Sequence, residues 1–228
     1  MALLVFPLSL FALGLVFAIV DWVAVAIEHK TLEYVAKPAT LLAFIAGAGL
    51  VAMATGGGRL ASWFLLALIF SLLGDVFLML PGDRWFPLGL GAFLLAQICY
   101  VVGLTPTLPP AASLWVIVPI VALDLLVLPR VIRGASEGGA PELRIPIVVY
   151  GLALSLTVFS GWATWYRPGF SPDVRPLASM GTTLFFSSDL MLAWDRFVHR
   201  SKVLRLAVIV TYHLAQLALA LAVGIHAL

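Results

Sequence analysis

Two aspartates stand where a charge is costly. Asp75 lies in Ser71-Leu72-Leu73-Gly74-Asp75-Val76-Phe77-Leu78-Met79-Leu80 and Asp189 in Phe186-Ser187-Ser188-Asp189-Leu190-Met191-Leu192, each inside an apolar run long enough to cross a bilayer. An ionisable side chain in mid-membrane costs about 2.5 to 3.5 kcal/mol on insertion scales, so it faces the bundle interior or a wet cavity. A desolvated carboxyl favours its neutral form, and a second carboxylate nearby favours it further. One of a close pair can therefore stay protonated near neutral pH and act as a general acid. Ser71, one turn before Asp75, and Thr182, two turns before Asp189 on the same face, supply polar company. The competing role is structural, each aspartate hydrogen-bonding a neighbouring helix. Asp124, in Leu/Val surroundings, reads as a packing or singly hydrogen-bonded residue.

Further polar groups recur at helical spacing. Phe93, Gln97 and Tyr100 fall at i, i+4 and i+7, Tyr212 and Gln216 are one turn apart, and His213 precedes Gln216 by three. Such stripes either position a substrate or tie helices together. Metal chemistry is disfavoured, because His29, His199 and His226 fall near span ends and leave His213 alone within the apolar core. No G-x-S-x-G elbow marks a nucleophile, and Gly56-Gly57-Gly58 and Gly138-Gly139 are turn material without nucleotide-loop context. The single cysteine, Cys99, allows no intrachain disulfide and reads as apolar packing. No cofactor is expected.

These residues need helices to hold them. The 228-residue chain is 63% hydrophobic and 11% charged, with a mean hydropathy of +1.12, a balance that marks an all-α integral membrane protein. A net charge of +2 argues for no nucleic-acid partner. Cutting at Gly/Pro and charge clusters gives eight segments of about 20 residues, roughly 3 to 26, 36 to 54, 60 to 80, 86 to 105, 113 to 133, 143 to 165, 176 to 196 and 203 to 226. Lys37-Pro38 opens the second. The expected fold is one transmembrane domain over 1–228, an eight-transmembrane-helix bundle, with the apolar N-terminus kept as a first span rather than a cleaved leader.

Lys30, Lys37, Arg84, Arg130, Arg133, Arg144, Arg196, Arg200, Lys202 and Arg205, ten of the 13 basic residues, fall on the side of the loops after spans one, three, five and seven. The positive-inside rule then puts both termini outside and these loops in the cytoplasm. In that orientation Asp75 and Asp189 share one depth, near the cytoplasmic face. Each acid-bearing span is followed by one bearing Leu-Ala-Gln, at Gln97 and Gln216, as two parallel four-helix repeats (1–110 and 111–228) would produce; chance matching in low-complexity membrane sequence is the competing account. Trp22, Trp63, Trp85, Trp115, Trp162 and Trp165 lie near span ends and read as an interfacial belt.

The chain resembles the YhhN family of membrane lysoplasmalogenases. The resemblance rests on Tyr34-Val35-Ala36-Lys37-Pro38, Gly74-Asp75 with its Leu/Met tail, the spaced Phe86, Gly89, Phe93 and Tyr100, Leu184-Phe185-Phe186-Ser187-Ser188-Asp189, and Tyr212 with Ala215-Gln216. It implies hydrolysis of a lysoplasmalogen vinyl ether to a fatty aldehyde and a glycerophospho-base, with a lysophospholipid substrate and membrane lipids as partners. That chemistry needs one neutral carboxylic acid and one carboxylate. Asp75 and Asp189 are the expected pair. Gln97, Tyr100, Tyr212, His213 and Gln216 are expected to position water and the ether oxygen, and Lys37 to meet the substrate phosphate or to snorkel at the interface. In the family a histidine often stands where this chain has Gln97, and glutamine orients water without exchanging a proton at neutral pH. A bacterial inner membrane is the expected location. Proton-coupled transport and two-aspartate intramembrane proteolysis are the competing functions.

Overall fold

A computed structural model describes residues 2–226, with side chains from Phe6 to Val223, so the side chain of His226 lies outside it. Eight long helices account for most of the chain: α1 (Ala2–Ala26), α2 (Lys30–Thr55), α3 (Arg59–Met79), α4 (Phe86–Leu104), α5 (Ile117–Glu137), α6 (Arg144–Ala163), α7 (Val174–Phe197) and α8 (Lys202–His226). Short 3-10 turns link several of them, and no strand occurs among the described residues. Seven of the eight helices are long and apolar enough to cross a bilayer. The exception is α7, whose 24 residues suffice in length. Ser179, Thr182, Thr183, Ser187, Ser188 and Asp189 make it too polar.

Two boundaries differ from the sequence expectation. Helix α2 starts at Lys30 rather than near residue 36, and Pro38 sits inside it. His29 caps the extra turns, its Nδ1 accepting from the Leu32 N–H at 3.2 Å, and membrane helices tolerate an internal proline because neighbours re-satisfy the freed backbone. Helix α5 begins later, after a 3-10 segment at Ala111–Val116, and runs through Pro129 to Glu137.

Antiparallel neighbours α1 and α2, α3 and α4, and α7 and α8 pack as hairpins, and α8 also touches α1, α2 and α3, which makes it the central post. Glycines let helices approach closely. A Cβ at Gly74 would lie 2.6 Å from the Phe93 ring, and one at Gly89 would lie 2.6 Å from Leu78 Cδ2. The residue before Asp75 thus lacks a side chain because Phe93 occupies the space. Phe93, Phe185 and Tyr212 meet edge to face at 5.7 to 6.1 Å between centroids, a geometry that adds to the area buried.

Helix α5 comes closest to α6 and α7, and its Val127, Leu128 and Val131 share one apolar cluster with Phe86 and Leu90 of α4. Asp124 fastens it, accepting a 2.5 Å hydrogen bond from the Ser155 hydroxyl of α6. At the basic loop face, Glu28 pairs with Lys202 at 3.0 Å and Arg205 at 3.2 Å, while Arg196 pairs with Asp83 at 2.8 Å. The hydrogen bond from Lys202 holds the Glu28 carboxyl below the ordinary glutamate range. Such exposed pairs contribute little individually; they show which loops meet.

Candidate active site

The centre of the site is a buried ion pair. Lys37 Nζ, from α2, lies 2.9 Å from Asp75 Oδ1 on α3, with the two side chains 14% and 1% exposed. From α8, the Tyr212 hydroxyl donates to Asp75 Oδ2 at 2.6 Å, and Lys37 Nζ stands 5.6 Å from the Tyr212 ring centroid. Both oxygens of Asp75 therefore face a donor. Such an arrangement stabilises a carboxylate anion, since removing the ammonium would strand a charge in a dry interior.

Asp189 has different company. Its Oδ2 accepts a hydrogen bond from the Tyr150 hydroxyl of α6, and no cation lies within ion-pairing distance of it among the described residues. Asp75 and Asp189 line one cavity of about 420 Å³ at the basic loop face, with Lys37 and Tyr212 in its wall and Glu28, Lys30 and Arg205 among its outer residues. Lys37 is thus drawn inward to Asp75, where its ammonium serves as a counter-ion, rather than left to snorkel at an interface.

The other candidates lie behind this cavity. Tyr100 is fully buried and donates to Gln216 Oε1 at 2.8 Å, with its ring edge-on to Phe64 at 5.0 Å. Gln97, also fully buried, accepts a 3.4 Å hydrogen bond from the Thr157 hydroxyl at its backbone carbonyl. Thr182 spends its hydroxyl on the Ala178 carbonyl of its own helix at 2.8 Å, so it does not serve Asp189. His213 faces α1, where its Nδ1 accepts the Trp22 indole N–H at 3.1 Å. Indole only donates, so the neutral imidazole carries its proton on Nε2, which points to Asp21 Oδ2 at 3.9 Å. Trp22 is accordingly an internal partner rather than part of an interfacial belt.

Sequence reasoning missed Tyr150 and Asp21. Asp21 is fully buried within the first apolar span, the signal that singled out Asp75 and Asp189. Tyr150 had no local mark, because a tyrosine near a span end is ordinary.

Fold and site together define a polytopic helical membrane protein with an acid-lined cavity at one end of the bundle, Asp75 and Asp189 in its wall. The YhhN family model matches residues 32–223. The chain belongs to the YhhN family. It is 30% identical over 162 residues to a lysoplasmalogenase of Mycobacterium bovis, a match covering 70% of this chain and 59% of that one. It is 30% identical over 157 residues to lysoplasmalogenase TMEM86B of Homo sapiens, covering 68% and 60%, and 33% identical over 173 residues to that of Mus musculus, covering 75% and 66%. The chain thus spans about three-fifths of the length of the first of these relatives. No solved structure matches it. Asp21 and Trp22 precede the family-matched residues, so α1 brings a buried acid from outside them.

Proposed function

We propose that this chain hydrolyses the vinyl ether bond of lysoplasmalogens, lysoplasmenyl-ethanolamine or lysoplasmenyl-choline, to a fatty aldehyde and a glycerophospho-base. The observation that carries the reading is the unequal pairing of two carboxyls on one cavity, Asp75 against an ammonium and Asp189 without one. Names of the relatives point the same way.

Asp189, protonated on the oxygen opposite Tyr150, gives its proton to the alkenyl carbon next to the ether carbon, forming an oxocarbenium ion. The Asp75 carboxylate stabilises that cation and takes a proton from the water that attacks it. In the hemiacetal, Asp75 returns its proton to the departing glycerol oxygen while Asp189 takes the hydroxyl proton. The C–O bond breaks, the aldehyde forms and both side chains regain their starting states. Lys37 and Tyr212 hold Asp75, and Lys37, which also lines the cavity, can meet the substrate phosphate. Gln97, Tyr100, His213 and Gln216 brace the wall behind. Helix α7 completes eight spans, its polar groups turned into the bundle, with termini outside and the site at the cytoplasmic face; the basic loop bias supports this orientation.

Incubating the purified protein with a lysoplasmalogen and with an ester-linked lysophospholipid tests the reading. Aldehyde from the first and no fatty acid from the second is expected, and absence of aldehyde overturns it. Tyr150→Phe, which removes the donor to Asp189, is expected to lower kcat about tenfold or more with little change in KM, measured as steady-state aldehyde release.

A further inference from the structure

The wall of the polar cavity carries more carboxyls than cations. Its three cations each face a carboxylate of the same wall, Lys37 with Asp75 at 2.9 Å, Lys30 with Glu33 at 2.7 Å and Arg205 with Glu28 at 3.2 Å. Two carboxyls of that wall are left over, Asp189 and Asp195, both on α7. Asp189 has the Tyr150 hydroxyl. Asp195, 9% exposed, accepts the Ser201 backbone N–H on Oδ1 at 2.6 Å, a bond that ties the turn between α7 and α8, and among the described residues no donor or cation reaches its Oδ2. Its neighbour in sequence, Arg196, pairs with Asp83 at 2.8 Å and lines a separate apolar cavity instead. A carboxylate this dry is stabilised by a cation, and the wall has none to spare.

We propose that Asp195 reads the cationic end of the substrate head group, the ammonium of ethanolamine or choline, an inference that rests on the vinyl ether reading above. The spacing along α7 supports it. Asp189 and Asp195 are six residues apart, about 9 Å along the helix axis. In a lysoplasmalogen nine bonds separate the ether oxygen from the head-group nitrogen, as many as in three extended residues of peptide, which is on the order of 10 Å. A substrate whose alkenyl bond lies against Asp189 therefore sets its ammonium beside Asp195, with glycerol and phosphate between them. The balance of charge supports the same assignment. With the other pairs closed, Asp195 leaves this wall short of positive charge, so a head group ending in an ammonium supplies what is missing, while one that brings the phosphate alone adds repulsion. An ethanolamine ammonium also donates a charge-assisted hydrogen bond to the carboxylate, about twice as strong as a neutral one. Ser201 occupies one oxygen of Asp195 and leaves the other for the ligand.

Two neutral variants, Asp195→Asn and Asp195→Ser, keep an acceptor for the Ser201 N–H and lose the charge. Each is compared with the wild type on two lysoplasmalogens of one chain length, one ending in phosphoethanolamine and one in phosphoglycerol, which keeps the phosphate and lacks the cation. The wild-type kcat/KM ratio of the first to the second is expected to be about tenfold or more, and to fall to within about threefold of unity in both variants, chiefly through KM. A ratio near unity in the wild type, or one that survives both substitutions, overturns the proposal. Binding gives a readout apart from turnover. Saturated 1-O-alkyl lysophospholipids with the same two head groups lack the vinyl ether, and at equal concentration the phosphoethanolamine form is expected to raise the melting temperature of the wild type more than the phosphoglycerol form does. Both variants should lose that difference, and protection that ignores the head group in the wild type overturns the assignment. Head-selective protection in wild-type protein that releases no aldehyde from either lysoplasmalogen would overturn the reaction and leave the head-group site standing.

Discussion

Asp189→Asn is expected to abolish aldehyde release, a loss of at least about 10³-fold, because asparagine cannot deliver the proton on which the whole reaction waits. Its hydrogen bond with Tyr150 survives through the amide oxygen, so the protein stays folded and its melting temperature in detergent moves little or rises. Steady-state aldehyde release and a thermal melt of the same preparation check both halves. Asp75→Asn is expected to be equally inactive for a different reason, since it leaves the cation and the attacking water without a base. Substantial activity in both variants would remove the paired-carboxyl mechanism. Activity lost only together with folding would reassign the aspartates to holding the bundle together.

The second large effect is on stability. Lys37→Met strands the Asp75 carboxylate, 1% exposed, with only the Tyr212 hydroxyl as donor. Breaking a buried pair from one side costs on the order of 3 to 5 kcal/mol, whereas replacing both partners is often close to neutral. Lys37→Met alone should therefore unfold at a markedly lower temperature, and Lys37→Met combined with Asp75→Asn should recover most of the loss while remaining inactive. A single variant as stable as the parent protein would show that Asp75 is neutral in the folded state. In that case its role as the anion in the mechanism falls with it.

Much of the architecture was legible along the chain. Apolar runs bounded by Gly, Pro and charge marked out the helices because the bilayer imposes a length and penalises charge, and those two constraints leave their trace residue by residue. The same penalty made Asp75, Asp124 and Asp189 visible. It applies as well to Asp21 in the first apolar run, which is fully buried. The Lys37-Pro38 pair, by contrast, misled: proline in a soluble helix marks a boundary, but α2 carries Pro38 within its length.

Which residues meet was another matter. Lys37 and Asp75 come from α2 and α3, Tyr212 and Asp75 are 137 positions apart, and Tyr150 reaches Asp189 from α6. In a soluble helix an apolar stripe announces which side faces the core. Here lipid-facing and core-facing surfaces are both apolar, so composition says little about how each helix is rotated about its axis. Rotation came from packing, with Gly74 and Gly89 letting α3 and α4 close on Phe93 and Leu78, and α8 standing against α1, α2, α3 and α7. Hydropathy and charge were enough for a multi-helix membrane protein with acids in its interior. That one acid faces an ammonium and the other a tyrosine is a property of helix rotation, and rotation depends on contacts between residues far apart in the chain.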